Sequence, residues 1–234
     1  MLKIKKLIKC ILNLQYIRSY AKGVSPLFEL SELLKKINTI ETLIDVGSNK
    51  GQFILITKKF FPNISIHSFE PLNEELSIQK SILKNNNIYY YNLALGNEEN
   101  EDNIYITKRK DSSSLLKPKI GISEIYKTNE IRKIKISTID KIFLNQKLKK
   151  PILLKLDVQG YEMNVLRGSN QYLRNIDYII CEISYSDVYE KQAMSDEIIN
   201  HLNTNNFEIF ERCNKTKFKG KYFQEDILFK KKIN

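Results

Sequence analysis

The segment Leu43-Ile44-Asp45-Val46-Gly47-Ser48-Asn49-Lys50-Gly51-Gln52-Phe53 places an acid and two glycines, spaced D-x-G-x-x-x-G, where an apolar strand turns into a helix. Ligands of open parallel sheets sit beyond the carboxyl ends of the strands, so this turn lies where a cofactor would. A dinucleotide fingerprint needs G-x-G-x-x-G, which brings a pyrophosphate onto bare backbone at a helix N-terminus. Here Asn49 stands in place of the second glycine, and Asp45 repels such an anion. A ligand carrying an ammonium or sulfonium group is attracted instead. A second acid, Glu70 in Ser68-Phe69-Glu70-Pro71, ends the next apolar run. A carboxylate there accepts hydrogen bonds from both hydroxyls of a ribose. Together the two acids point to S-adenosylmethionine as cofactor. The plainer alternative is that Asp45 caps a turn and Glu70 a helix.

The elements around these acids alternate. Thr42 to Val46 reads as a strand, Gly51 to Phe61 as a helix ended by Pro62, Ile64 to Phe69 as a strand, Asn73 to Lys84 as a helix and Ile88 to Asn92 as a strand. The pattern resumes with strand Ile152 to Asp157, helix Tyr161 to Leu166, strand Tyr178 to Ile183, a helix around Glu197 to Leu202 and strands Phe207 to Glu211 and Ile227 to Lys230. Such alternation predicts an α/β fold with a mainly parallel seven-stranded sheet and helices on both faces. Ser25 and Pro26 read as the cap and first residue of a helix reaching Ile37. Residues 97–131, with acids at Glu98, Glu99, Glu101 and Asp102 and three serines at Ser112, Ser113 and Ser114, break the rhythm. They read as a long loop or insertion holding one short strand, Ile104 to Thr107, and loops of that length tend to be functional. Ile131 to Thr138 alternates like an edge strand. The domain reading is a basic amphipathic extension over 1–24 and one domain over 25–234.

Charge and cysteine usage narrow the function classes. The 234 residues hold 38 Lys plus Arg against 27 Asp plus Glu, a net charge of +11. Residues 1–22 carry six bases and no acid, residues 215–234 carry seven lysines against Glu225 and Asp226, and the stretch between is neutral. A nucleic-acid-binding domain spreads its bases over one face of the fold, so nucleic acid is not the expected partner. Cys10, Cys181 and Cys213 are odd in number and lack C-x-x-C spacing, which indicates neither a disulfide framework nor a zinc site. No metal site is expected, and a cytoplasmic protein is. Ile4, Leu7, Ile8, Ile11 and Leu14 recur at helical spacing between lysines. That pattern suits a helix on the inner, anionic face of a membrane, or one packed on its own domain.

Asp45-Val46-Gly47-Ser48-Asn49-Lys50-Gly51, Phe69-Glu70-Pro71, Asn92-Leu93-Ala94-Leu95-Gly96 and Leu154-Lys155-Leu156-Asp157-Val158-Gln159-Gly160-Tyr161-Glu162, in this order, resemble the FkbM-type methyltransferases. The resemblance covers about residues 40–212. It implies the class I methyltransferase (Rossmann-like) fold, S-adenosylmethionine as donor and O-methylation of a hydroxyl, often on a saccharide or glycan intermediate. It places Asp45, Gly47, Asn49 and Gly51 around the methionine part of the donor, and Glu70 with Pro71 at its ribose. Asn92 and Ala94 fall beside the adenine, and Asp157 faces the sulfonium. Gln159 stands where many relatives carry Glu, which puts an acid's role at that position in doubt.

A sugar hydroxyl is a poor nucleophile at neutral pH, and a positioned base adds about 10²- to 10⁴-fold. Candidates are Asp157 and Glu182, each at a strand end, and Glu162 in the first turn of a helix. His67 falls inside a strand and His201 on a late helix, so neither is favoured. Ser112, Ser113 and Ser114, with Tyr161, are candidate acceptor contacts, and Tyr185 and Tyr189 could stack on a sugar. The competing readings are a nucleic-acid methyltransferase and a non-catalytic membrane-surface or nucleic-acid-binding protein that keeps the fold.

Overall fold

The computed structural model describes residues 14–232 apart from 85, 86, 122 and 219. Its framework is a seven-stranded sheet built from β1 (Thr42–Val46), β2 (Ser65–Phe69), β3 (Ile88–Tyr91), β7 (Ile152–Leu156), β8 (Tyr178–Ser184), β9 (Phe207–Cys213) and β12 (Gln224–Lys231), in the order β3-β2-β1-β7-β8-β12-β9. The first five run parallel, and β12 is antiparallel to both β8 and β9. This is the class I methyltransferase architecture that the sequence predicts.

Every residue of β1 and β7 is buried, because helices cover both faces of the sheet. Alternate side chains serve opposite layers. Ile44, Val46, Leu154 and Leu156 pack beneath α5 (Ile139–Phe143), α6 (Glu162–Arg167) and α7 (Ser195–Thr204). Leu43, Leu153 and Ile180 pack on the other face with α3 (Gln52–Phe60) and the segment from Phe28 to Ile40. Helix α4 (Asn73–Ile82) completes the β2 to β3 crossover. His67 sits in an aromatic stack, 4.9 Å from the ring centres of both Tyr89 and Phe143, and burial lowers its pKa to about 4. It is a neutral packing residue.

Residues 97–131 are more regular than the sequence suggests. Strand β5 (Asn100–Thr107) begins within the acidic cluster and pairs antiparallel along β6 (Thr128–Ser137), which also pairs with the short β4 (Ala94–Leu95). The predicted edge strand is therefore the centre of a separate three-stranded sheet, β4-β6-β5. Its first four β5 residues are exposed, so charges there hide the strand from any hydrophobic pattern. Only 108–127 remains a loop with short 3₁₀ turns.

The helix predicted from Pro26 to Ile37 is also different. It breaks into a 3₁₀ turn at Phe28–Leu30 and one helical turn, α2 (Ser31–Leu34). The Leu27 amide donates to the Gln52 carbonyl (3.3 Å), which ties this stretch across the β1 to α3 turn and prevents a straight helix.

The amphipathic pattern from Ile4 to Ile11 lies outside the described residues. Helix α1 (Leu14–Ala21), which follows it, packs on the fold: Tyr16 donates to the Leu55 carbonyl (3.3 Å) and meets Phe28 edge-on. Nor are residues from 215 onward a remote tail. They form a small hairpin of β10 (Lys217–Phe218) and β11 (Lys221–Tyr222), then β12 inside the main sheet. Among the described residues no helix is long and apolar enough to cross a membrane.

Candidate active site

The carboxyl ends of β1, β2, β7 and β8 open onto a cavity of about 750 Å³. Because β12 runs the other way, its first residues reach the same edge. Register then sets the chemistry: Asp45 lies opposite Lys155 in the β1–β7 pair, and Glu182 opposite Asp226 in the β8–β12 pair. All four line the cavity, as do Gly47, Asn49, Glu70, Pro71, Ala94, Ser112, Ser113, Ser114, Asp157 and Tyr161.

The turn after β1 is compact. Gly47 has φ +77°, and a Cβ there would fall 2.0 Å from the Asp157 carbonyl oxygen, so the β1 and β7 turns touch only because residue 47 lacks a side chain. Asp45 is buried, and its Oδ2 has no hydrogen-bond partner among the described residues. Burial pushes its carboxyl up to about 7, against the opposing pull of Lys155. A buried, unsatisfied carboxylate oxygen on a cavity wall fits a ligand cation. Glu70 accepts from the Asn49 amide (2.9 Å) and the Leu72 amide (2.8 Å), so each oxygen is positioned while keeping a lone pair. Burial raises its carboxyl to about 7 as well. These features fit the aminoacyl and ribose parts of S-adenosylmethionine.

On the other side, one buried lysine holds several acids. Lys155 Nζ donates to Asp157 Oδ2 at 2.9 Å. Burial disfavours the lysine's charge, yet the carboxylates of Asp157, Asp226 and Asp45 outweigh it and hold its pKa above the usual lysine range. Burial also works against the Asp157 charge, but Lys155 and the Gln159 amide hold that carboxyl below its ordinary value. Glu182 behaves oppositely. Burial first, then the Asp157 and Asp226 carboxylates, push it well above the ordinary glutamate value. Asp226, bonded by Asn214 Nδ2 at 2.9 Å, is raised to about 6 by burial.

Gln159 ties the cluster together. Its Nε2 donates to Asp157 Oδ1 (2.9 Å) and to Glu182 Oε2 (3.1 Å), while Gln224 Nε2 donates to the other Glu182 oxygen (2.7 Å). A glutamate at 159 would add a third anion where an amide supplies the linking donor.

Four of the predicted site residues serve the frame. Gly51 begins α3 with φ +82° and is not part of the cavity wall. Asn92 Nδ2 donates to the carbonyls of Glu70 and Pro71, both at 3.0 Å, so its amide fixes the turn after β2 and does not line the cavity. Glu162, proposed as a base, is buried away from the cavity and accepts from the amides of Val158 and Gly160, both at 3.1 Å. It closes the turn behind Asp157. Ser114 lines the cavity, but its hydroxyl donates to the Gln159 carbonyl (2.7 Å). Tyr189 is buried and donates to the Ser112 carbonyl (2.7 Å), so it cannot stack on a sugar.

Lys155, Asp226, Gln224 and Asn214 belong to the site without having been singled out from sequence. Lys155 had a signal: a lysine within Ile152-Leu153-Leu154-Lys155-Leu156, a strand apolar on both faces, must be paired when buried. Asp226 had none, since it lies among lysines near the chain end. Among the described residues no group of three His, Cys, Asp or Glu is arranged to hold a metal ion.

Comparison with known proteins gives the family and the fold. The methyltransferase FkbM domain model matches residues 45–209. Methyltransferase 1 of Beauveria bassiana (strain ARSEF 2860) is 24% identical over 159 residues, which are 60% of this chain and 64% of that protein. The present chain thus spans less than two thirds of that relative. A Listeria monocytogenes structure assigned as an S-adenosylmethionine-dependent methyltransferase superposes on 88% of this chain and 98% of its own, at 11% identity and a TM-score of 0.51. The FkbM methyltransferase of Methylobacillus flagellatus KT covers 80% of this chain and 43% of its own, at 15% identity and a TM-score of 0.47.

Proposed function

We propose, from the premise that this chain belongs to the FkbM methyltransferase family, that it moves a methyl group from S-adenosylmethionine to a hydroxyl of a saccharide, glycan or related intermediate. The observation that carries the acceptor half is Glu182: a carboxyl on the cavity wall, made more basic by burial and held by two amide donors beside Asp157.

When bound, the donor supplies a methyl group on a positively charged sulfur, open to direct displacement. Asp45 meets the cationic aminoacyl end, and Glu70 accepts from the ribose hydroxyls. Gly47 leaves room for the chain to pass close to the ligand. Asp157, kept anionic by Lys155, complements the positive charge of the sulfonium but is a weak base. Glu182 is the stronger base and takes the hydroxyl proton as the oxygen attacks. Gln159 and Gln224 fix its two oxygens, and holding the reacting atoms in line contributes much of the acceleration. Glu162 acts only through the turn that carries Asp157. Location in the cytoplasm and a single catalytic domain over 25–234 belong to the same reading.

The test has two arms. S-adenosylhomocysteine at a hundredfold its dissociation constant should stabilise the protein by about 2.7 kcal/mol, whereas NAD should not. Label from methyl-tritiated donor should then enter a saccharide fraction in a form that survives mild alkali, as an ether does and an ester does not. Stabilisation by NAD alone overturns the donor. Label found only in nucleic acid, or only in alkali-labile form, overturns the acceptor class.

A further inference from the structure

The cavity is electrically two-ended. Its floor holds the carboxyls of Asp45, Glu70, Asp157, Glu182 and Asp226 around the single ammonium of Lys155. Its rim holds cations: Arg109 and Lys110 from the 108–127 loop, and Lys215 from the segment between β9 and β10. Two of these are already matched. Arg109 pairs with Asp111 (2.7 Å), and Lys110 lies 3.6 Å from Glu75 and 3.9 Å from Glu74. Lys215 forms no ion pair with an acid among the described residues. Its ammonium rests instead over aromatic rings, 4.0 Å from the centre of Tyr222 and 5.3 Å from that of Tyr185.

That arrangement presents a charge with its position fixed. The Tyr185 hydroxyl donates to Glu225, which sets the ring. The Thr216 amide donates to the Gln224 carbonyl (2.8 Å), and the Phe223 amide donates back to the Thr216 carbonyl (3.0 Å), which anchors the backbone beside Lys215 to β12. Lys217 places a second ammonium 4.9 Å from the same Tyr222 ring. Two lysines held over tyrosines, with no ion pair to a carboxylate among the described residues, leave attraction for an anion from outside.

We propose that the acceptor carries an anionic group, a phosphate or a carboxylate, which Lys215 holds at the rim while the reacting hydroxyl points inward to Glu182. The inference rests on the methyl-transfer reading and narrows its acceptor class. The acidic floor repels the anion, and the rim attracts it, so one end of the acceptor is kept out and the other is admitted. The cationic donor experiences the reverse preference. A two-ended field thus sorts two ligands of opposite charge into one cavity and orients the acceptor.

Binding to the full chain saturated with S-adenosylhomocysteine tests this, with glucose 6-phosphate, glucuronate and glucose as probes. At least one anionic sugar should bind about tenfold more tightly than glucose, the worth of one charge-assisted hydrogen bond. Which of the two is preferred identifies phosphate or carboxylate as the group recognised. Lys215→Met should erase the preference and Lys215→Arg should keep it, while Lys59→Met, on exposed α3 surface, should change nothing. If Lys215→Met does not fold, salt decides: raising it from about 50 to about 500 mM should shrink the wild-type preference. Equal binding of all three sugars, a preference that survives Lys215→Met, or one that ignores salt overturns the inference. Failure of S-adenosylhomocysteine itself to bind overturns the donor reading instead.

Discussion

On the β1–β2 side of the cavity, Asp45, Gly47, Asn49 and Glu70 come from two successive strand ends within 26 residues of sequence. On the β7–β8–β12 side, Ser112 to Ser114, Lys155, Asp157, Glu182, Lys215 and Asp226 come from an insertion, three strands and a connecting segment spread over more than a hundred residues. In the proposed reading the first side recognises the donor through local turn geometry and two separate acids. The second is a coupled network in which one lysine and three amides decide the state of three carboxyls. Local construction suits a ligand common to many relatives, while a network assembled from distant segments can be retuned by any of them.

The sharpest way to break this contrast is to remove the charge at its centre. Lys155→Met should cost about 3–5 kcal/mol in urea unfolding, because Asp157 and its neighbours are left buried and uncompensated. A loss under about 1 kcal/mol would show that the acids do not depend on the lysine. Glu182→Gln comes next: turnover should fall about 10²- to 10⁴-fold with S-adenosylhomocysteine affinity nearly unchanged. Equal losses of both would merge the two sides into one. Gly47→Ala strikes where they touch. A Cβ against the Asp157 carbonyl, at positive φ, should cost about 1–3 kcal/mol of stability and weaken donor binding.

A titration separates stability from binding. Asp45, Glu70 and Glu162 each have a carboxyl raised to about 7 by burial. A raised carboxyl binds its proton more tightly when folded, so its contribution to stability falls as pH rises toward and through 7. His67, lowered to about 4, works in the opposite sense only below its unfolded value near 6.5. Between pH 6.5 and 8 the ligand-free midpoint should therefore fall, while donor affinity should rise as Asp45 and Glu70 ionise. Parallel trends in thermal unfolding and calorimetry would remove Asp45 from cation binding. The smallest effect belongs to Asn92→Ala. Losing its bonds to the Glu70 and Pro71 carbonyls should cost about 1 kcal/mol, with turnover at saturating donor retained.

How much of this is legible in sequence follows the same divide. The succession of strands and helices, the turn after β1 and the positions of Asp45 and Glu70 are readable because periodicity, glycine spacing and a strand-end acid are local signals. Strand β5 is readable only in its second half, Ile104 to Thr107, because its exposed first half is charged like a loop and is stabilised by pairing with β6. The roles of Glu162 and Glu182 cannot be told apart by type or spacing. Both are glutamates of the α/β units that follow β7, and only the turn of backbone around Glu162 shows that its carboxylate is occupied by amides.

Net charge shows the limit most plainly. Sequence assigns the basic excess to the two chain ends and separates it from the motifs. At the C-terminal end, chain topology reverses that separation, because β12 enters the sheet antiparallel between β8 and β9 and carries Asp226 to the floor of the cavity and the Lys215 segment to its rim. By itself the sequence determines the family, the sheet and the acids of the β1–β2 turn, since these depend on residues close along the chain. Tertiary structure alone decides which carboxyl is raised and which lysine lines the cavity, because ionisation depends on burial and on neighbours that only folding brings together.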